Sequence, residues 1–121
     1  MLLVDDHAEV RSTTAAVLAD GGHEVLEAGN GPEALELLKK RKCDFDLLIT
    51  DYAMPHLSGT DFLRQARELC PEAPALLITG YAETEIISDL PPGVEMLLKP
   101  FTPAVLEAAM ARACGEAAVA S

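Results

Sequence analysis

Five short apolar runs divide the chain: Leu2-Leu3-Val4, Val25-Leu26, Leu47-Leu48-Ile49, Ala75-Leu76-Leu77-Ile78 and Val94 to Leu98. Each is only a few residues long, which suits strands better than helices. The segments between them carry helical spacing instead. Val10, Val17 and Leu18 mark the first, and Ala34, Leu35 and Leu38 the second. Phe62, Leu63, Ala66 and Leu69 mark the third, and Val105, Leu106, Ala109 and Ala113 the last. One helical stripe per gap is the signature of a βα repeat. Such a repeat implies a parallel sheet with right-handed crossovers and helices on both faces.

The punctuation agrees with this reading. Gly21-Gly22 ends the first helix, and Asn30-Gly31-Pro32 opens the second with Pro in its first turn. Ser58 caps the third, Pro71 and Pro74 bracket its exit, and Thr102-Pro103 is a cap-plus-N1 pair for the last. The segment Glu83 to Leu90 fits less well. It is short, contains β-branched Ile86-Ile87, and is cut off by Pro91-Pro92-Gly93. The expectation there is a fourth helix of one or two turns at most, or a mobile loop. Residues 1–114 are expected to form one domain, with a frayed tail over 115–121.

Composition narrows the function classes. The 121 residues, half of them apolar, suffice for one hydrophobic core. Twenty acidic against 9 basic side chains give a net charge of −11, which argues against a sequence-independent grip on nucleic acid or an anionic membrane. No apolar run approaches the roughly 20 residues of a membrane span. Met1-Leu-Leu-Val4 runs straight into Asp5-Asp6, without a basic-then-apolar leader. A soluble, cytoplasmic domain is expected. Cys43, Cys70 and Cys114 are far apart and in no C-x-x-C spacing, so they are expected as reduced, core-packing thiols in a reducing compartment. The run Lys39-Lys40-Arg41-Lys42 ends the second helix, where cations complement the macrodipole.

The polar residues at the strand ends carry the chemistry. Asp5 and Asp6 follow the first apolar run, Asp51 follows the third, Thr79 closes the fourth and Lys99 follows the fifth. Carboxyl ends of strands are where open α/β sheets build their sites. In a sheet of order 2-1-3-4-5 the first and third strands are neighbours, so the three aspartates converge. At an effective dielectric near 20, a like-charge pair 4 Å apart costs roughly 4 kcal/mol. Such a cluster raises a pKa or holds a cation, and an incomplete all-oxygen set suits Mg²⁺. A divalent ion, the Lys99 ammonium and the Thr79 hydroxyl around one carboxylate make a phosphoryl receptor, with Asp51 as nucleophile.

These residues resemble the receiver domain of two-component response regulators. The matching pieces are Leu-Leu-Val-Asp5-Asp6, Arg11, Thr50-Asp51-Tyr-Ala-Met54-Pro55-His-Leu-Ser-Gly59, Ile78-Thr79-Gly80 and Leu98-Lys99-Pro100-Phe101. The resemblance covers essentially the whole chain. It implies a flavodoxin-like doubly wound sheet and a signalling phospho-acceptor rather than a true enzyme. Asp51 would take phosphate from a histidine kinase or a histidine phosphotransfer domain. Mg²⁺, or Mn²⁺, would be held by Asp5, Asp6, Asp51 and the backbone carbonyl of Ala53. Thr79 and Lys99 would bind the phosphoryl group, with a cis peptide at Lys99-Pro100. No direct contact with nucleic acid or membrane is expected.

Two positions depart from the family pattern. Met96 stands where an aromatic switch residue is usual, three before the lysine, and the stretch from Thr79 to Lys99 is short. Ala53 and Tyr81 flank the route of the water that hydrolyses the acyl phosphate in this family. Thr-Asp51-Tyr-Ala-Met-Pro, Thr79-Gly-Tyr-Ala and the weak fourth helix resemble receivers at the C-terminus of hybrid sensor histidine kinases. A stand-alone regulator is the alternative.

Other readings fit less well. A Mg²⁺-dependent aspartyl phosphohydrolase of the haloacid-dehalogenase kind needs an aspartate where this chain has Ala53. In a flavodoxin-like electron carrier, Asp5 and Asp6 would repel the cofactor phosphate. Arg11 is expected on an exposed helix face. His7, His23 and His56 show no metal-ligand spacing and are expected at surface or loop positions; His7 follows the acid pair directly in sequence, and a place bordering the site is the lesser alternative for it.

Overall fold

The computed structural model describes residues 1–54, 57–80 and 93–114. Its element order is β1 (Leu2–Val4), α1 (Ala8–Asp20), β2 (Leu26–Ala28), α2 (Gly31–Lys40), β3 (Leu48–Asp51), α3 (Gly59–Leu69), β4 (Ala75–Thr79), β5 (Val94–Leu98) and α4 (Pro103–Ala113). The strands form one five-stranded sheet in the order β2-β1-β3-β4-β5, and the pairings β1·β2, β1·β3, β3·β4 and β4·β5 are all parallel. This is the flavodoxin-like doubly wound arrangement. The expectations for Glu83 to Leu90 and for the tail over 115–121 lie outside the described residues.

The period-2 alternation of the strands divides the core between the two faces of the sheet. Leu2, Val4, Leu48, Ala75 and Leu77 face α2 and α3, where Ala34, Leu38, Phe62, Leu63 and Ala66 cover them. Leu3, Leu47, Ile49, Leu76, Ile78 and Leu97 face α1 and α4, against Leu18, Leu106, Ala109 and Met110. A strand buried on both faces is apolar throughout, which explains the unbroken runs in β1, β3 and β4. The helices begin where the capping residues stand. Asn30 accepts from the Glu33 N–H, Ser58 from Asp61 and Thr102 from Val105, each satisfying one orphan donor of a first turn.

The helix stripes differ from expectation at their ends. Val10 and Val105 are exposed. The buried side of α1 consists of Thr14 and Leu18, one turn apart, and Val10 continues that line into solvent. Leu69 is likewise exposed at the end of α3.

One expectation is overturned. Cys43 and Cys70 are not reduced thiols but form a disulfide, with Cα atoms 5.8 Å apart and a sequence separation of 27. Cys43 lies just beyond the C-terminus of α2 at φ 63°, and Cys70 is the C-cap of α3. Helices α2 and α3 pack side by side on one face, so their ends meet, within the Cα range a disulfide spans. The cysteines therefore give no argument for a reducing compartment. Cys114, outside the disulfide, is exposed. No helix among the described residues is long and apolar enough to cross a membrane.

Candidate functional site

The register of β1 against β3 sets the site. Val4 pairs with Thr50, so the next residues, Asp5 and Asp51, leave adjacent strands side by side, about 4.8 Å apart at the backbone. Asp51 is the last residue of β3 rather than the first of the loop, in register with Ile78 of β4. Both carboxylates are buried, Asp5 to 7% and Asp51 to 4% residual exposure. Asp and Glu are almost never buried to this extent unless paired, so the carboxylates need positive partners.

For Asp51 the partner is Lys99. Its Nζ lies 2.8 Å from Asp51 Oδ1, with the carboxylate almost wholly buried and the lysine side chain 43% exposed. Lys99 is held from behind by its own N–H, which donates to the Thr79 carbonyl at 2.8 Å, and the Lys99–Pro100 peptide bond is cis. Thr79 is fully buried at the end of β4, and its hydroxyl donates to the Gly80 carbonyl at 2.8 Å. Met96 lies mid-strand on β5 opposite Leu77, partly buried.

The loop after β3 is tightly seated. The Gly59 N–H donates to the Tyr52 carbonyl at 2.8 Å. A Cβ at Gly59 would collide with the Asp51 carbonyl oxygen and stand 2.8 Å from Leu77 Cδ1 and 2.9 Å from Tyr52 Cα. Only glycine permits this approach of α3 to the end of β3. Ala53 is exposed in the same loop. Pro55, His56 and Tyr81 lie outside the described residues.

The acid pair is organised by two residues. The His7 backbone N–H donates to Asp5 Oδ1 at 2.9 Å. Arg11, expected on an open helix face, is only 22% exposed; its Nη1 donates to the Asp5 carbonyl at 2.8 Å and its Nε to Glu27 Oε1 at 3.2 Å. Sequence reasoning missed this role. Its signal was a cation one turn into the helix that starts beside the acid pair, with Glu27 on the neighbouring strand.

These donors fit a hard divalent cation. Asp6 Oδ1 is buried yet has no hydrogen-bond partner among the described residues, and a buried anionic oxygen without one is costly. Among the described residues one group of donor atoms lies close enough to hold an ion. It comprises Asp5, Asp6 and His7, all within 4.8 Å of one another. Asp51 is not in that group, although its strand end adjoins it.

Comparison with known proteins agrees with this geometry. The model of the response regulator receiver domain family matches residues 1–111. The sensor kinase CckA of Brucella abortus is 34% identical over 104 residues, which are 84% of this chain but 11% of that protein. A response regulator receiver protein of Anaeromyxobacter is 38% identical over 71% of this chain and 35% of its own length. The chain thus spans well under half of both. A CheY homologue of Campylobacter jejuni is 37% identical over 88% of this chain and 85% of its own. Among solved structures, a receiver protein from Sinorhizobium medicae superposes with a TM-score of 0.84 at 33% identity, covering 94% of this chain and 92% of that one. The receiver domain of the hybrid histidine kinase CckA does so at 0.79 and 34%, covering 93% and 95%. With its sheet order, strand-end acids and family match in agreement, this chain belongs to the response regulator receiver domains of two-component signalling.

Proposed function

We propose that Asp51 is the phospho-acceptor of this receiver. The observation that carries the proposal is the buried Asp51 carboxylate at the end of β3 with Lys99 Nζ 2.8 Å from its Oδ1. A carboxylate oxygen attacks the phosphorus of a phosphohistidine, the P–N bond breaks, and the imidazole departs with its electron pair. The product is an acyl phosphate. Lys99 neutralises charge on the phosphoryl oxygens. The Thr79 hydroxyl exchanges the Gly80 carbonyl for a phosphoryl oxygen, which couples phosphorylation to the end of β4. Arg11 and the His7 N–H keep the Asp5-Asp6 turn in place throughout.

Asp5, Asp6, Asp51 and the Ala53 carbonyl would hold Mg²⁺ or Mn²⁺, and the bound ion would offset negative charge on the transferring group. The donor is a histidine kinase or a histidine phosphotransfer domain. Phosphorylation adds roughly −1.5 to −2 charge at one residue, and the output follows from whichever contacts distinguish the two states. The domain is a signalling acceptor, working in the cytoplasm, with residues 1–114 as the functional unit.

The likeness to CckA supports a hybrid sensor kinase as the setting. A stand-alone regulator, as in the CheY homologues, is the second reading. A kinase transmitter domain in the same reading frame supports the first, and its absence supports the second. The central test is labelling with phosphoramidate. The wild-type chain is expected to gain one phosphoryl group per molecule when Mg²⁺ is present, and Asp51→Asn none. Stoichiometric labelling of that variant would overturn the assignment.

A further inference from the structure

We infer that His7 supplies a nitrogen ligand to the ion held by Asp5 and Asp6, so that this receiver favours Mn²⁺ and later divalent transition ions over Mg²⁺. The inference rests on the cation site proposed above. It starts from the group of donor atoms that closes within 4.8 Å, in which the third member is His7.

The ring Nδ1 lies 3.4 Å from Asp6 Oδ1 and 3.7 Å from Asp5 Oδ1. Both distances exceed those of an ordinary N–H···O hydrogen bond, about 2.7 to 3.2 Å. They fall instead between the roughly 3 Å and 4 Å that separate neighbouring and opposite ligands of an octahedral ion with bonds near 2.1 Å. Asp6 Oδ1, buried and without a hydrogen-bond partner, lies on the near side of that gap.

The position of His7 in the fold points the same way. It is the N-cap of α1, with extended backbone, but its side chain makes no capping hydrogen bond. Residues favoured at an N-cap use their side chain to satisfy the first turn. Here the ring is turned to the carboxylates, while its backbone N–H fixes the turn by donating to Asp5 Oδ1. At 70% side-chain exposure the ring leaves an open path for an ion from solvent. Imidazole is a good ligand for first-row transition ions, whereas Mg²⁺ takes oxygen and dehydrates reluctantly. A nitrogen ligand added to two carboxylates therefore discriminates between them.

The test is to titrate the chain calorimetrically with MnCl₂ and with MgCl₂, and to record electron spin-echo modulation of the Mn²⁺ form. Wild type is expected to show a directly bound imidazole nitrogen, and His7→Gln to lose it. The ratio of Mn²⁺ to Mg²⁺ affinity should fall about tenfold in His7→Gln, with Mg²⁺ affinity nearly unchanged. If both ions bind with no nitrogen coupling and the same ratio in both proteins, the role of His7 is overturned and the carboxylate site stands. If neither ion binds the wild-type chain at millimolar concentration, the carboxylate site fails as well.

Discussion

Lys99 Nζ and Asp51 Oδ1 stand 2.8 Å apart, an ammonium still in contact with solvent against a carboxylate that is not. The asymmetry matters because the pair joins two strands that are not neighbours, β5 and β3, across the end of β4. Removing the lysine leaves the Asp51 charge in place, already desolvated and beside the acid pair. Breaking a buried pair from one side costs about 3 to 5 kcal/mol, and less where a partner is exposed. Lys99→Ala is therefore expected to lower stability by about 1 to 3 kcal/mol, and Asp51→Asn in the same chain to restore most of it. Urea denaturation of the two single variants and the double variant checks this. Additive effects would show that the pair is not coupled.

On the proposed cation site, the two carboxylates of Asp5 and Asp6 repel each other and a bound ion would relieve that repulsion. Asp6→Asn is expected to raise the melting temperature in the presence of a chelator, by an amount equivalent to about 1 kcal/mol. The same substitution should abolish the further rise that Mg²⁺ or Mn²⁺ gives the wild type. An ion at a hundred times its dissociation constant stabilises by about 2.7 kcal/mol. Differential scanning fluorimetry with and without each ion reads both effects. A wild-type chain insensitive to either ion would refute the prediction.

Gly59 permits α3 to touch the end of β3. Gly59→Ala drives a Cβ into the Asp51 carbonyl oxygen and close to Leu77 Cδ1, so the strand end that carries Asp51 must shift. Overpacking of this kind costs about 1 to 3 kcal/mol. Phosphoramidate labelling should slow markedly while the far-ultraviolet dichroism stays unchanged. Wild-type labelling in this variant would show that the loop absorbs the collision without moving Asp51.

The Cys43–Cys70 disulfide closes a loop of 27 residues between α2 and α3. By chain entropy, a loop of that size contributes about 3.5 kcal/mol. Cys43→Ser/Cys70→Ser, or the wild type in reductant, is expected to melt about 10 °C lower. Labelling at Asp51 should persist, because the disulfide lies at the opposite end of the sheet. Equal melting temperatures for oxidised and reduced protein would count against a constraining role.

The alternation of strands and helices and the acids at the strand ends were legible for one reason: both follow from short-range pattern, whereas the order 2-1-3-4-5 was implied by the family resemblance. Apolar runs, turn residues and capping residues act within a few positions, so Asn30, Ser58 and Thr102 could be placed from sequence. Boundaries were less legible. β2 begins at Leu26 and reaches Ala28, through an exposed Glu27 that no apolar run would include, because an edge strand buries little of itself. Val10 and Val105 carry helical spacing yet remain exposed, since periodicity gives the direction of a stripe and not where its neighbours end.

The sequence by itself determined that this chain is a βα repeat with Asp5, Asp6, Asp51, Thr79 and Lys99 at carboxyl ends of strands. Those properties are written in consecutive residues. Only the tertiary structure decided which long-range partners meet. It joined Cys43 to Cys70, drew Arg11 onto the Asp5 carbonyl, and turned the His7 ring toward Asp6 rather than into its own helix cap. Each of these depends on how two elements pack or on a rotamer beside a turn, and neither leaves a local pattern to read. Distance along the chain says nothing about them; the side-by-side packing of helices on a twisted sheet does.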